Sequence, residues 1–109
     1  METRIEYRID DLVFEWDEAK EKKNIKKHGV NFRMAAHVFF DENLIQDYDP
    51  FHSDDENRYI AIGAIDNGGQ LLILTVSITE RGESMERIRI ISARKATNYE
   101  RGEYYGQNN

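Results

Sequence analysis

The sequence predicts an α+β domain, and three observations predict it. Apolar residues recur at helical spacing in the N-terminal third, and from about residue 44 onward they fall into strand-like runs. The tripeptide Asn67-Gly68-Gly69 stands between two of those runs, where residues tolerant of positive φ favour a tight hairpin. Strand, two helices, a meander and a last helix is an order in which helices and antiparallel strands segregate. At 109 residues the chain is expected to form one domain over residues 1–109. A chain of this size buries about two-thirds of its unfolded surface.

Each element has a local reason. Ile5, Tyr7 and Ile9 alternate with polar residues, which suggests a short edge strand or an N-terminal arm. Residues 12–16, Leu-Val-Phe-Glu-Trp, read as a strand. Asp17 is a good N-cap, and Glu18 and Glu21 follow where the helix dipole favours acids. Lysines then lead to His28, and Gly29 suits the C-cap, so a first helix covers 17–28. Its apolar residues are few, Ala19 and Ile25, so it must lie on a surface. Asn31 caps a second helix through Phe40, with Phe32, Ala35, Ala36 and Phe39 on its core side. His37 is flanked there by core positions and is expected to pack, as is Trp16 at the end of its strand. Strands are predicted over 44–48, 58–65, 70–79 and 87–93, with a second reversal at Arg81-Gly82-Glu83. A last helix runs from Ala96 or Thr97 to Tyr105.

Composition narrows the function classes. With no cysteine, a disulfide framework, a thiol nucleophile and a thiolate zinc site are excluded. No apolar run approaches the roughly 20 residues that span a bilayer, and the N-terminus lacks a signal-peptide stretch. A cytoplasmic protein without membrane partners is expected. The net charge of −6 argues by itself against a nucleic-acid binder. Its distribution is more informative: between Asp41 and Glu56 stand seven acids and no Lys or Arg. Five lysines crowd the stretch from Lys20 to Lys27, and six basic residues outnumber three acids from Arg81 to Arg101.

Several stretches, taken in order, resemble the BrnT-type toxins, small bacterial ribonucleases of type II toxin–antitoxin operons. They are Phe14-Glu15-Trp16-Asp17, Asn24, Lys27-His28-Gly29-Val30, Phe32, Ala35-Ala36 and Val38-Phe39. Then come Asp49-Pro50, His52-Ser53, Glu56, Arg58, Ile62-Gly63 and Thr79-Glu80-Arg81-Gly82. Ile88-Arg89-Ile90-Ile91-Ser92-Ala93-Arg94-Lys95-Ala96, Glu100-Arg101 and Tyr104 complete the series, which covers about residues 14–105. The resemblance implies a RelE-like fold, a compact antiparallel sheet with two N-terminal helices packed on one face and a C-terminal helix. It implies a toxin domain over 12–105, with residues 1–11 as an N-terminal extension beyond the family's usual start. It also implies an RNA substrate, inhibition of translation, and neutralisation by a BrnA-like ribbon-helix-helix antitoxin, with operator DNA bound only through that complex. Tyr59 follows Arg58 where Trp or Phe is common in the family, and an aromatic packing or stacking role is kept.

The residues can be asked to support that chemistry. Cleaving RNA without a metal or other cofactor needs a base for the ribose 2′-OH, cations for the developing charge, and an acid for the leaving 5′-oxygen. The candidate catalytic residues are Lys27, His28, His52, Glu56, Arg58, Arg81, Arg89 and Arg94. Strand alternation places Arg87, Arg89 and Ile91 on one face, with Ile88, Ile90 and Ser92 on the other. Guanidiniums there can grip a phosphate through two parallel hydrogen bonds or pair with cross-strand acids, and the resemblance favours Arg89 and Arg94 over Arg87. Arg58 opens a strand and needs Glu56 or an anionic ligand, while Arg81 sits in a turn. His28 either caps its helix or serves with Lys27 as acid and phosphate binder. His52 is a general acid–base candidate in an acidic loop. Tyr59, Tyr104 and Tyr105 are stacking candidates.

Two other classes compete. A metalloenzyme would draw on His28, His37, His52 and the Asp41–Asp54 acids, whose spacings fit no His-Glu-x-x-His helix or calcium loop. A non-catalytic protein-binding domain, or a degenerate toxin that only docks its partner, would use the polarised surface for docking alone.

Overall fold

The structure, a computed structural model, describes residues 2–81 and 87–107, and of Arg81 only the backbone. The reversal expected at Arg81-Gly82-Glu83 therefore lies outside the described residues. Six strands form one sheet: β1 (Arg4–Ile9), β2 (Leu12–Asp17), β3 (Ile45–Tyr48), β4 (Arg58–Asn67), β5 (Gln70–Arg81) and β6 (Arg87–Lys95). Their order is β1-β2-β6-β5-β4-β3. Three α-helices accompany them, α1 (Glu18–His28), α2 (Phe32–Ala36) and α3 (Asn98–Gln107).

The sheet is mostly antiparallel, as expected, but β2 and β6 run parallel, with Phe14 beside Ile88 and Glu15 beside Arg89. Parallel neighbours need a long crossover, and the whole chain between the two strands supplies it. β1 pairs with β2 along its full length, from Arg4 opposite Asp17 to Ile9 opposite Leu12. The N-terminal residues are thus an edge strand of the same sheet.

Alternation along the strands separates two faces. On one, Phe14, Trp16, Leu74, Val76, Ile78, Ile88, Ile90 and Ala93 pack with Val30, Phe32, Ala35, Ala36 and Val38 from the helical segment. On the other, Ile62 and Ile73 meet Ala96 and Tyr104, so α3 covers part of the opposite face. Tyr104 then donates its hydroxyl to Asp41 at 2.5 Å, tying α3 to the end of the helical segment.

The second helix is shorter than its apolar stripe suggests. Regular α-helix ends at Ala36, and His37–Phe40 tighten into a 3-10 turn closed by Asp41 N–H on the Val38 carbonyl. The cause is close approach to β4. A Cβ on Gly63 would stand 2.9 Å from the Val38 Cβ and 3.0 Å from its carbonyl oxygen, so this turn seats directly on a glycine. His37, expected to pack among core positions, is instead exposed, with its Nε2 3.2 Å from the Tyr7 hydroxyl and its ring edge-on to the Tyr7 ring.

The pairing of β5 with β6 carries one irregularity. Ser77 pairs with Ser92 while the next residue, Ile78, pairs with Ile90, which leaves Ile91 as an extra residue in β6. Such a bulge shifts the alternation beyond it by one. Ser92, expected on the core side, therefore lies with Ser77 on the opposite face, and Arg94 follows it there. Without the bulge Arg94 would fall on the opposite side from Arg89. No helix among the described residues is long and apolar enough to cross a membrane.

Candidate active site

The part of the sheet that α3 leaves uncovered carries a cleft of about 300 Å³ lined by Asp49, His52, Arg58, Ile60, Ser77, Ile91, Ser92 and Arg94. Three strands and one loop meet there. The loop is built by Asp49, which is only 7% exposed. Its backbone N–H donates to the Arg58 carbonyl at 2.8 Å, and its own carbonyl accepts from the Ser53 hydroxyl at 2.6 Å. That hydroxyl in turn accepts the Arg58 N–H at 3.0 Å, so the loop closes on the first residue of β4. Pro50 opens a 3-10 turn, Pro50–His52, where its fixed φ suits the first helical position.

The Asp49 carboxylate does two further things. One oxygen accepts the Phe51 backbone N–H at 3.2 Å, and the other lies 2.8 Å from His52 Nδ1. A carboxylate can only accept, so the shared proton sits on Nδ1, and Nε2 is the ring nitrogen left to act as an acceptor in the uncharged form. The imidazole is thereby held in the tautomer that a general base requires, by the same logic as a nucleophile–base–orienter chain.

Two arginines complete the cleft. Arg58 is about one-third exposed, and its closest acid, Glu56, is a long 3.9 Å away. Its buried Nε–H has no partner among the described residues. Arg94 is gripped through both terminal nitrogens by Glu100, at 2.6 and 2.9 Å. That fork holds the Glu100 carboxyl down at about 2, and raises the Arg94 pKa in return. Glu100 also accepts the Thr97 N–H while Thr97 Oγ1 accepts the Glu100 N–H, a reciprocal box at the start of α3. Arg94 retains further N–H donors for a ligand.

The structure separates the other candidates. Glu56 lines an adjoining hollow of about 210 Å³ with Phe51, His52, Asp54, Asp55 and Arg58. Arg89 shares the open face, and its cross-strand row runs Arg58, Thr79, Arg89, so about two strand spacings (~10 Å) separate it from Arg58. It lines a different hollow, where Glu15 meets both Arg87 and Arg89 while Glu6 reaches Arg87 and Glu2 reaches Arg89. Burial works against the Arg89 charge, but Glu2 and Glu15 outweigh it and leave the pKa raised. Lys27 and His28 do not line the cleft. They end α1, which packs on the core side through Trp16 and Ala93, across the sheet from Arg58. The Arg81 side chain lies outside the described residues. Tyr104 and Tyr59 serve packing roles, one against Ile62 and Ile73 and the other beside the main core. Among the described residues no three His, Asp or Glu side chains converge as metal ligands would.

Sequence reasoning underrated Asp49, Glu100, Ser77, Ser92 and Phe51. Thr97-x-x-Glu100 was a legible capping signal, and Asp49-Pro50 a legible turn signal. The two serines carry no local signal, because the bulge alone brings them together.

Fold and cleft define a small α+β protein whose sheet face brings two guanidiniums together with a histidine held by a buried aspartate. Residues 16–100 match the family described as ribonuclease toxin, BrnT, of type II toxin–antitoxin system. The chain also resembles the crystal structure of the Brucella abortus ribonuclease toxin BrnT, at 31% identity and a TM-score of 0.52, over 76% of this chain and 94% of that one. No curated protein matches the chain. The chain belongs to the BrnT family of ribonuclease toxins.

Proposed function

We propose that this chain is an endoribonuclease that cleaves RNA by metal-independent acid–base chemistry at the Asp49–His52–Arg58–Arg94 cleft. The observation that carries the reading is the placement of an oriented imidazole and two guanidiniums on one cleft of a BrnT-family fold. His52 Nε2 takes the proton from the ribose 2′-OH, and the 2′-oxygen attacks phosphorus. Arg58 and Arg94 neutralise the charge that grows on the non-bridging oxygens. The phosphorus–5′-oxygen bond breaks, the 5′-oxygen takes a proton from water, and a 2′,3′-cyclic phosphate remains. Glu56 borders the cleft and tempers Arg58, while Arg89 extends the basic face beyond it. Cleavage of cellular RNA inhibits translation, and a BrnA-like ribbon-helix-helix antitoxin neutralises it in the cytoplasm, as family membership supports.

The test is cleavage of a short RNA by the purified chain with EDTA present, beside His52→Ala and Arg58→Ala. Cleavage that survives chelation should fall at least about 100-fold in each variant, with melting temperatures within a few degrees of wild type. Undiminished cleavage by both variants would remove the cleft from the chemistry. Failure of the wild type to cleave, with or without divalent ions, would leave a docking domain.

A further inference from the structure

Phe51 is 87% exposed, the most exposed large apolar side chain among the described residues, and it adjoins His52. A single exposed apolar residue usually needs no explanation. This one differs because the Asp49 carboxylate that holds the His52 ring also anchors the Phe51 backbone. The ring and the imidazole are therefore presented by one 3-10 turn with Asp49 buried beneath it. Phe51 and His52 share the hollow that opens beside the cleft, and Arg58 lines both spaces.

We propose that Phe51 is a stacking platform for the nucleobase next to the phosphate held by Arg58 and Arg94. The proposal rests on the ribonuclease reading and adds a base-binding subsite to it. Three features favour a base on the ring. Arg94 lies on the cleft side and Arg58 at the boundary between the two spaces, so a phosphate held by both leaves its neighbouring base free to turn toward the loop. The other walls of the hollow include Asp54, Asp55 and Glu56, which repel a second phosphate but tolerate a neutral base. An aromatic face accepts any base by stacking, so the subsite supplies affinity and position more than a strict sequence code. Purines, with the larger π-surface, are expected to be preferred there.

Two measurements test this. In steady-state cleavage, Phe51→Ala should raise KM for a short RNA about 5- to 100-fold and change kcat less than about threefold, while Phe51→Trp restores KM. In binding, the indole of the Phe51→Trp chain is the reporter, because the one native tryptophan, Trp16, is fully buried. Its fluorescence should be quenched by an all-2′-deoxy oligonucleotide, which lacks the attacking hydroxyl, and more by a purine-rich than a pyrimidine-rich one. A wild type that cleaves RNA beside a Phe51→Ala chain with unchanged KM would overturn the subsite and leave the nuclease reading standing. A fall in kcat at constant KM would mean that the ring only supports His52, and would also overturn it. Unchanged cleavage with loss of neutralisation by the partner protein would assign the ring to a protein contact instead. A wild type that neither cleaves nor binds RNA would overturn both.

Discussion

At Glu100 one carboxylate closes the N-terminal box of α3 and forks onto Arg94, and the arginine's two hydrogen bonds hold its pKa at about 2 against an ordinary 4.5. A carboxyl whose pKa is lowered by folding stabilises the fold above its unfolded value and ceases to do so as pH falls through its folded one. The Glu100 contribution is therefore complete above about pH 4.5 and is lost progressively toward pH 2. Glu100→Gln keeps an acceptor for the Thr97 N–H but removes the charge. It should cost about 1–2 kcal/mol at neutral pH after allowance for solvent screening. It should also flatten the acid limb of a urea-midpoint series taken between pH 4.5 and 2. Parallel acid limbs for the two proteins would show that the pair contributes no charge-dependent stability. Arg94→Ala would disturb this bridge as well as the cleft, so Arg58→Ala is the cleaner probe of phosphate binding.

At the scale of elements, α1 shows how a helix with little apolar surface is kept in place. Ile25 remains partly exposed, and the helix is held mainly by two buried polar residues. Glu21 accepts from the Trp16 indole N–H and from the Phe32 N–H, and so joins β2 to the start of α2. Asn24 donates to the Val30 and Ala93 carbonyls and accepts the Ala93 N–H. Truncating Asn24 leaves those backbone groups buried without partners, so Asn24→Ala should destabilise by about 2–4 kcal/mol. A drop in melting temperature of only a degree or two would mean that water replaces the side chain. β6 offers a different test. Deleting Ile91 removes the bulge residue but keeps Ile90 opposite Ile78 and Ser92 opposite Ser77, so Ser92 and Arg94 stay on the cleft face and RNA cleavage should be retained within about tenfold. An Ile91-deleted chain that folds but no longer cleaves would show that the bulge itself, beyond the facing of Arg94, shapes the cleft.

Across the whole molecule, the charge is divided between surfaces. The lysines of α1 lie on the core side of the sheet, while Arg58 and Arg94 line the cleft across from them. The acidic loop and the Glu2–Glu6–Glu15 set bracket that cleft and offset the other cations of the face. A net charge of −6 is thus compatible with RNA binding, provided that few phosphates are engaged. Two phosphate contacts predict a log–log salt slope for binding of a non-cleavable oligonucleotide of about −1 to −2. A slope of about −4 or steeper would bring the α1 lysines into the interface.

The amino-acid sequence by itself determined what depends on neighbours along the chain. Asp17 and Gly29 bound α1, Asn31 starts α2, and Asn67-Gly68-Gly69 turns β4 into β5, because capping and positive φ are local properties. The ordered motifs likewise pointed to the BrnT family. Tertiary structure alone decided which candidate residues meet. Strand neighbours are chosen by side-chain burial over long separations, which is why β2 lies parallel to β6 and why Lys27 and His28 end on the far side of the sheet from His52. A single unpaired residue, Ile91, reverses the facing of all that follows in β6, because strand alternation has a period of two and carries no memory of register.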